Sequence, residues 1–345
     1  MKAFISGCAG LELTLEERGF FAAERPWGFI LFKRNVDTPA QVANLVASLR
    51  DAVGRADAPV LIDQEGGRVQ RLAAPWWPAY PRGLDYGRLA ERNLLKGLEA
   101  TRLGMRLIAD DLAALGIDVD CVPLLDVPVP GAHDVIGARA FGRDPAFVSA
   151  LARAAADGVL AGGVLPVVKH MPGHGRAGVD SHLSLPVVET SLAELAERDF
   201  PPFAALADLP MAMSAHVVYT AIDPDRPATT SPKVIAEIIR GRLGFGGALM
   251  TDDLSMQALG GDHHARARAA LDAGCDLVLH CNGKLDEMRQ VADACPALSG
   301  KSLERVRRVD GWRKPPEPLD RAAAEARFAE LMAEVGVEFT GVGRV

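Results

Sequence analysis

The feature that most restricts the fold is a set of eight short apolar runs spread along the chain. They are Lys2–Ser6, Gly28–Phe32, Pro59–Asp63, Ile117–Pro123, Val164–Lys169, Met211–Ala215, Ala248–Asp252 and Asp276–His280. Nearly all are continuously apolar rather than alternating, as strands are when a parallel sheet is covered on both faces. Helical patterns lie between them. Thr38-Pro39 and Asp144-Pro145 supply an N-cap followed by a first-turn proline, and the long pattern Arg92–Leu115 stops at Gly116. Others span Ser191–Ala207, Ser231–Leu243, His264–Ala273 and Lys284–Ala294. Strand–helix alternation repeated eight times predicts an α/β chain folded as a single (β/α)8 TIM-like barrel; a doubly wound open sheet is the second reading. Residues 1–345 are read as one catalytic domain. From about residue 300 two additional C-terminal helices, Ser302–Arg308 and Leu319–Val335, flank a KPPEP segment and are expected on the barrel's outside.

In such a barrel the C-terminal ends of the strands carry the chemistry. Those ends here are rich in polar groups: Asp63 to Arg71 (DQEGGRVQR), Leu125-Asp126, Lys169-His170, Ser214-Ala215-His216, Thr251-Asp252-Asp253 and His280-Cys281-Asn282. The densest stretch is VLPVVKHMPGHGRAGVDSH, residues 164–182, which holds three of the chain's eight histidines. A buried strand there breaks into a glycine-rich loop bearing Lys169, His170, His174, Asp180 and His182. Asp180 and His182, two residues apart, suit a carboxylate that orients an imidazole and favours its protonated form, a proton shuttle near neutral pH. Alternation along the strand through Thr251 turns one carboxylate of the pair Asp252-Asp253 into the mouth and the other toward the next turn. The inward one can attack an anomeric carbon.

Several residues admit two readings. Asp63 with Arg71 can grip sugar hydroxyls or form an ion pair that staples the loop. Lys169 can bind oxygen atoms as a cation or form a Schiff base, and carboxylates beside it favour the cation. His170, His174, His216 and Asp252 can assemble a metal site, although Pro172, Gly173 and Gly175 exclude a helical zinc pair. Arg139, in IGARAFG, is either a ligand-facing or a surface cation. Trp76-Trp77 can offer a sugar-stacking face, with packing the favoured reading.

A net charge of −7 and the absence of a Lys/Arg run argue against nucleic-acid or anionic-membrane partners. Five scattered cysteines (Cys8, Cys121, Cys275, Cys281, Cys295) form no disulfide or zinc framework and read as buried free thiols. Ile5-Ser6-Gly7-Cys8 faintly resembles a lipoprotein cleavage site, but the apolar stretch before it falls short of the ~7 residues such a signal needs. No window supplies the ~18 apolar residues of a membrane span. A cytoplasmic location is expected.

Taken together, DQEGGRVQR, IGARAFGRDP, KHMPGHG…DSH, SAHVVY, TDDLSM and LDAGCDLVLHCN strongly resemble glycoside hydrolase family 3, and within it the bacterial β-N-acetylhexosaminidases, over about residues 5 to 295. Met171 stands where that family usually has an aromatic, and Ala140 and Thr251 where serine is usual. The resemblance implies a (β/α)8 barrel and retaining removal of terminal β-linked N-acetylglucosamine from cell-wall fragments carrying anhydro-N-acetylmuramic acid. Neither cofactor nor metal is implied. By motif, Asp252 corresponds to the nucleophile, His182 to the general acid/base and Asp180 to its partner. Asp63, Arg71, Arg139, Lys169 and His170 correspond to the substrate-binding set. Three rivals stay open: a hexosidase of other specificity, a metal-dependent barrel hydrolase, and a barrel that binds amino sugars without cleaving them.

Overall fold

The computed structural model of the chain describes residues 1–181 and 184–341. Eight parallel strands close into a barrel: β1 (Lys2–Ser6), β2 (Pro26–Leu31), β3 (Val60–Ile62), β4 (Val119–Asp120), β5 (Leu165–Met171), β6 (Met211–Ser214), β7 (Ala248–Asp253) and β8 (Leu277–His280). Each pairs with its neighbours in chain order, and β8 closes on β1. All eight predicted strands are present, and the closed barrel replaces the open-sheet alternative.

The continuous apolar runs follow from burial on both faces. Ala3, Ile5, Leu61, Val167, Met211, Leu277 and Leu279 fill the interior of the barrel. Their neighbours Phe4, Val60, Val168, Ala212 and Val278 pack outward under the helices. Both sets are almost fully excluded from water, so no polar face exists to interrupt the pattern.

The helices follow their caps. Thr38 Oγ1 accepts from Gln41 N at the start of Pro39–Val53, and Asp144 Oδ1 accepts from Ala146 N at the start of Pro145–Ala161. A further helix, Leu15–Glu24, carries a capping box the apolar pattern does not reveal: Thr14 Oγ1 accepts from Glu17 N, and Glu17 Oε2 accepts from Thr14 N. The long helix expected over 92–115 is present as Leu94–Ala113, capped by the Asn93 side chain, and a further helix, Gly83–Arg92, precedes it. The 191–207 pattern breaks into short helical pieces around Pro201-Pro202, where two consecutive residues lack an N–H. Among the described residues no helix is long and apolar enough to cross a membrane.

One C-terminal helix departs from its expected place. Gly300–Asp310 closes the floor of the barrel, with Val306 and Val309 joined to the interior cluster. It is fixed there by Asp276, fully buried just before β8. Asp276 Oδ1 accepts from Ser302 Oγ (2.8 Å) and Arg305 Nη1 (2.9 Å), and Oδ2 accepts from Arg240 Nη2 (2.7 Å) and Leu249 N (2.9 Å). The floor of a barrel is a ring of apolar side chains that needs a lid, and the short helix supplies it. The last helix, Arg321–Ala333, does lie outside, against Leu94–Ala113, where Arg321 Nη1 reaches Asp110 (2.8 Å) and Asp111 (2.7 Å).

Asp276→Ala should strand two guanidinium groups at this seam and cost about 3 kcal/mol or more of unfolding free energy. Urea titration reads it directly, and a loss below about 0.5 kcal/mol would show that Asp276 does not hold the floor.

Candidate active site

Two irregularities in the barrel deliver consecutive residues to its mouth. Between β5 and β6 the pairing runs Val168 with Ala212, then Met171 with Ser214, so β5 carries an extra residue. Between β7 and β8 it runs Met250 with Leu277, then Asp253 with Leu279. A bulge of this kind cancels simple alternation. Lys169 and His170 therefore both face the mouth, and so do Asp252 and Asp253. The Asp253 carboxylate braces the turn, as expected of the second of the pair, its Oδ1 accepting from Ser255 N (2.9 Å) and Cys281 N (3.1 Å).

The mouth holds a cavity of about 320 Å³, at the small end of small-molecule sites. Asp63, Arg71, Arg139, Lys169, His170, Asp180 and Asp252 all line it, with Phe32, Ile136, Met213 and Leu279 as apolar wall. His182 lies outside the described residues.

Along one wall five side chains of alternating sign are joined. Arg71 Nη2 is 3.2 Å from Asp63 Oδ2, and Lys169 Nζ is 2.8 Å from Asp63 Oδ1. Lys169 Nζ is also 2.7 Å from Glu65 Oε1, and Arg139 grips Glu65 through Nη2 (2.6 Å) and Nε (2.9 Å). Three cations against two carboxylates leave this wall one positive charge. Burial pushes the Asp63 carboxyl upward, but Lys169 and Arg71 outweigh it and hold it well below the usual carboxylate range. Glu65, buried but flanked by Arg139 and Lys169, is held at about 2. Burial alone would lower the Lys169 ammonium; Asp63 and Glu65 raise it above its ordinary value. A lysine held this firmly as a cation has no free amine for a Schiff base at neutral pH. The Asp63–Arg71 pair staples its loop, and both side chains line the cavity. Glu65 was not among the predicted site residues. Its signal is the two-residue spacing from Asp63, which places both on one side of an extended chain. Gly66 then turns the chain with a φ of +92°, and a Cβ there would meet the Pro81 carbonyl oxygen at 2.3 Å.

The histidines divide by partner. His170 Nδ1 is 2.7 Å from Asp126 Oδ2, and Asp126 Oδ1 accepts the His174 N–H at 2.6 Å. Burial raises the Asp126 carboxyl, but His170 and His174 overcome this and keep it below its ordinary value. An ionised Asp126 assigns the proton of His170 to Nδ1 and turns Nε2 toward Asp252, 3.9 Å from Oδ2. Asp252 Oδ1 accepts from Asp253 N at 2.8 Å. His174, 3.1 Å from Ser181 Oγ, is lowered to about 4 by burial and by His170. His216 meets Thr229 Oγ1 (2.7 Å) through Nδ1 and the Asp253 carbonyl (3.1 Å) through Nε2. With both its nitrogens engaged, His216 cannot complete a metal centre with His170, His174 and Asp252. Trp77 is buried, in agreement with packing, whereas Trp76 is exposed, and neither lines the cavity. The five cysteines are buried free thiols.

The model of the glycosyl hydrolase family 3 N-terminal domain matches residues 17–310. The chain belongs to this family. It is a glycoside hydrolase of the β-hexosaminidase group, as the motifs at the strand ends imply. The β-hexosaminidase of Bordetella avium is 37% identical to the hydrolase over 93% of this chain and 91% of its own length. That of Methylococcus capsulatus is 43% identical over 79% of this chain and 80% of its own. Among solved structures, NagZ from Neisseria gonorrhoeae in complex with N-trifluoroacetyl-D-glucosamine superposes with a TM-score of 0.83 at 32% identity, covering 96% of both chains. A family 3 β-N-acetylglucosaminidase from Paenibacillus sp. FPU-7 gives 0.84 at 30% identity, over 96% of the hydrolase and 66% of that larger chain.

The charged wall sets an acid limit. Glu65 has a folded value of about 2 against an ordinary 4.5, so its contribution to stability is complete above the ordinary value and is lost as pH falls toward 2. Urea-unfolding free energy should fall between about pH 4.5 and 2, more shallowly in Glu65→Gln. Equal slopes in the two proteins would show that Glu65 is not held ionised by its neighbours.

Proposed function

We propose that the hydrolase removes terminal β-linked N-acetylglucosamine with retention of configuration, through a covalent glycosyl-enzyme on Asp252 with His182 as general acid/base. The observation that carries this reading is the placing of Asp252 at the end of β7, in a cavity of one-sugar size, facing the loop that bears Asp180. The bound N-trifluoroacetyl-D-glucosamine of the gonococcal relative supports an amino sugar as occupant.

In the first half-reaction an Asp252 carboxylate oxygen attacks the anomeric carbon as the glycosidic bond breaks, and His182 gives its proton to the departing oxygen. In the second, His182 takes a proton from water, whose oxygen displaces Asp252 from the sugar. Most retaining glycosidases set two carboxyl groups about 5–5.5 Å apart for these roles. An imidazole with an ordinary value near ~6.5 serves both directions at neutral pH. Asp180 orients that imidazole. His170, aimed by Asp126, directs an Nε2 at Asp252 and the sugar edge.

Asp63 is held ionised and accepts from two sugar hydroxyls, while Lys169, Arg71 and Arg139 donate to oxygens that Asp63 does not reach. The natural substrate in this reading is a fragment of N-acetylglucosamine joined to anhydro-N-acetylmuramic acid, with or without peptide, met in the cytoplasm. The whole chain acts as one catalytic domain, needing no cofactor, nucleic acid or membrane.

Asp252→Asn should lower turnover of an aryl N-acetylglucosaminide on the order of 10⁴-fold while leaving affinity for free N-acetylglucosamine within a few-fold. Near-normal turnover would reject Asp252 as nucleophile. His182→Ala should lose roughly 10²–10⁴-fold on a substrate with a poor leaving group and much less on an activated aryl glycoside, which needs no protonation. Equal losses on both substrates would reject its role as acid.

A further inference from the structure

Beyond the sugar site, at the outer edge of the same end of the barrel, His263, His280 and Glu287 converge. His280 ends β8, His263 opens the helix His263–Ala273 that follows the β7 loop, and Glu287 lies in the first turn of Leu285–Ala294. None of the three lines the sugar cavity. One ligand atom from each, an imidazole nitrogen from either histidine and a Glu287 oxygen, lies within 4.8 Å of the others. Among the described residues this is the one such group of three or more His, Cys, Asp or Glu side chains.

Both distances from Glu287 suit ligands that share one ion. Glu287 Oε2 is 3.2 Å from His263 Nε2 and 3.4 Å from His280 Nε2. Zinc bonds of ~2.0–2.1 Å at tetrahedral angles put neighbouring ligand atoms about 3.3–3.4 Å apart. His263 Nε2 is excluded from solvent and, despite its distance from Glu287, makes no hydrogen bond with any described residue. The rings stand nearly perpendicular, with centroids 5.4 Å apart, so two nitrogens approach one point without the rings colliding. Two imidazoles and a carboxylate with a fourth position open form a known zinc donor set.

We propose that His263, His280 and Glu287 bind a zinc ion that ties the β7 loop to the β8 loop. The remaining groups around Glu287 are compatible with this. Lys284 Nζ is 3.1 Å from Oε1, the oxygen that the imidazoles do not face, and the Asn282 side-chain amide donates to Oε2. Oε2 retains a second lone pair, and Lys284 offsets charge on the far oxygen. Glu287 also lines an open surface depression with Glu16, Lys284, Asp286 and Arg289, in which three carboxylates face two cations. The ion would not touch the sugar. Cys281, the residue after His280, donates its N–H to Asp253 Oδ1, so the brace would sit one residue from the strand-end pair Asp252-Asp253.

Equilibrium dialysis of the chelator-stripped full-length protein against Zn²⁺, with metal counted by mass spectrometry, tests this. One zinc per chain at micromolar or lower free Zn²⁺ is expected. Affinity should weaken roughly 100-fold or more in His263→Gln and Glu287→Gln and be unchanged in His174→Gln, whose side chain lines the sugar cavity. Zinc should raise the melting temperature of the wild type and not that of His263→Gln. His263 is partly exposed, so this variant tests the site without disturbing the buried His280. Undiminished binding in both His263→Gln and Glu287→Gln, loss in His174→Gln instead, or no retention at micromolar Zn²⁺ would each overturn the proposal.

Discussion

The contact on which the mouth of this barrel depends is the buried ammonium of Lys169 between Asp63 and Glu65. It joins β5 to the loop after β3, and through Glu65 it reaches Arg139 on the loop after β4. An unpaired ammonium at that depth would be costly, and so would either carboxylate. With Arg71 and Arg139 on the outer sides, each charge has an opposite neighbour, and Asp63, Arg71, Arg139 and Lys169 line the cavity. The same set fixes two loops to β5 and sets out donors and acceptors along the cavity wall. Four of the groups that hold the loops, Asp63, Arg71, Arg139 and Lys169, are also groups that line the cavity.

The bulges matter for a related reason. A regular strand offers its mouth every second residue. The extra residues in β5 and at the end of β7 let Lys169 and His170, and likewise Asp252 and Asp253, crowd one small volume. That crowding needs fixed orientations. Asp126 supplies one by holding His170 through Nδ1, and Asp253 supplies another by bridging its own turn to β8. The precision of the site thus comes from rigid strand ends more than from its loops.

Much of this was legible in the chain. Strands buried on both faces write themselves as unbroken apolar runs, so all eight were found, and the polar residues after each run pointed to the mouth. What stayed hidden depends on contacts distant in sequence or on local hydrogen bonding. Glu65 and Asp126 act on partners 104 and 44 positions away, Lys169 and His170, and no short pattern announces a brace. The bulge that brings both Asp252 and Asp253 to the cavity is not something alternation can foresee. Helix Leu15–Glu24 lacked a clear apolar stripe and rests on its Thr14–Glu17 cap, a signal present in the sequence but easily passed over. The floor helix Gly300–Asp310 looked peripheral because its apolar contribution is small, chiefly Val306 and Val309, and because the open end it closes is visible only once the barrel is built.

The central claim is that a sugar becomes covalently attached to the carboxylate at the end of β7. Peptide mass mapping is its most direct test, on enzyme inactivated with a fluorinated N-acetylglucosaminyl fluoride whose glycosyl-enzyme hydrolyses slowly. The account predicts one added sugar mass per chain, carried by the peptide containing Thr251-Asp252-Asp253 and fragmenting to Asp252. Label on Asp63 or Asp180, or steady turnover of the reagent without any covalent adduct accumulating, would contradict it.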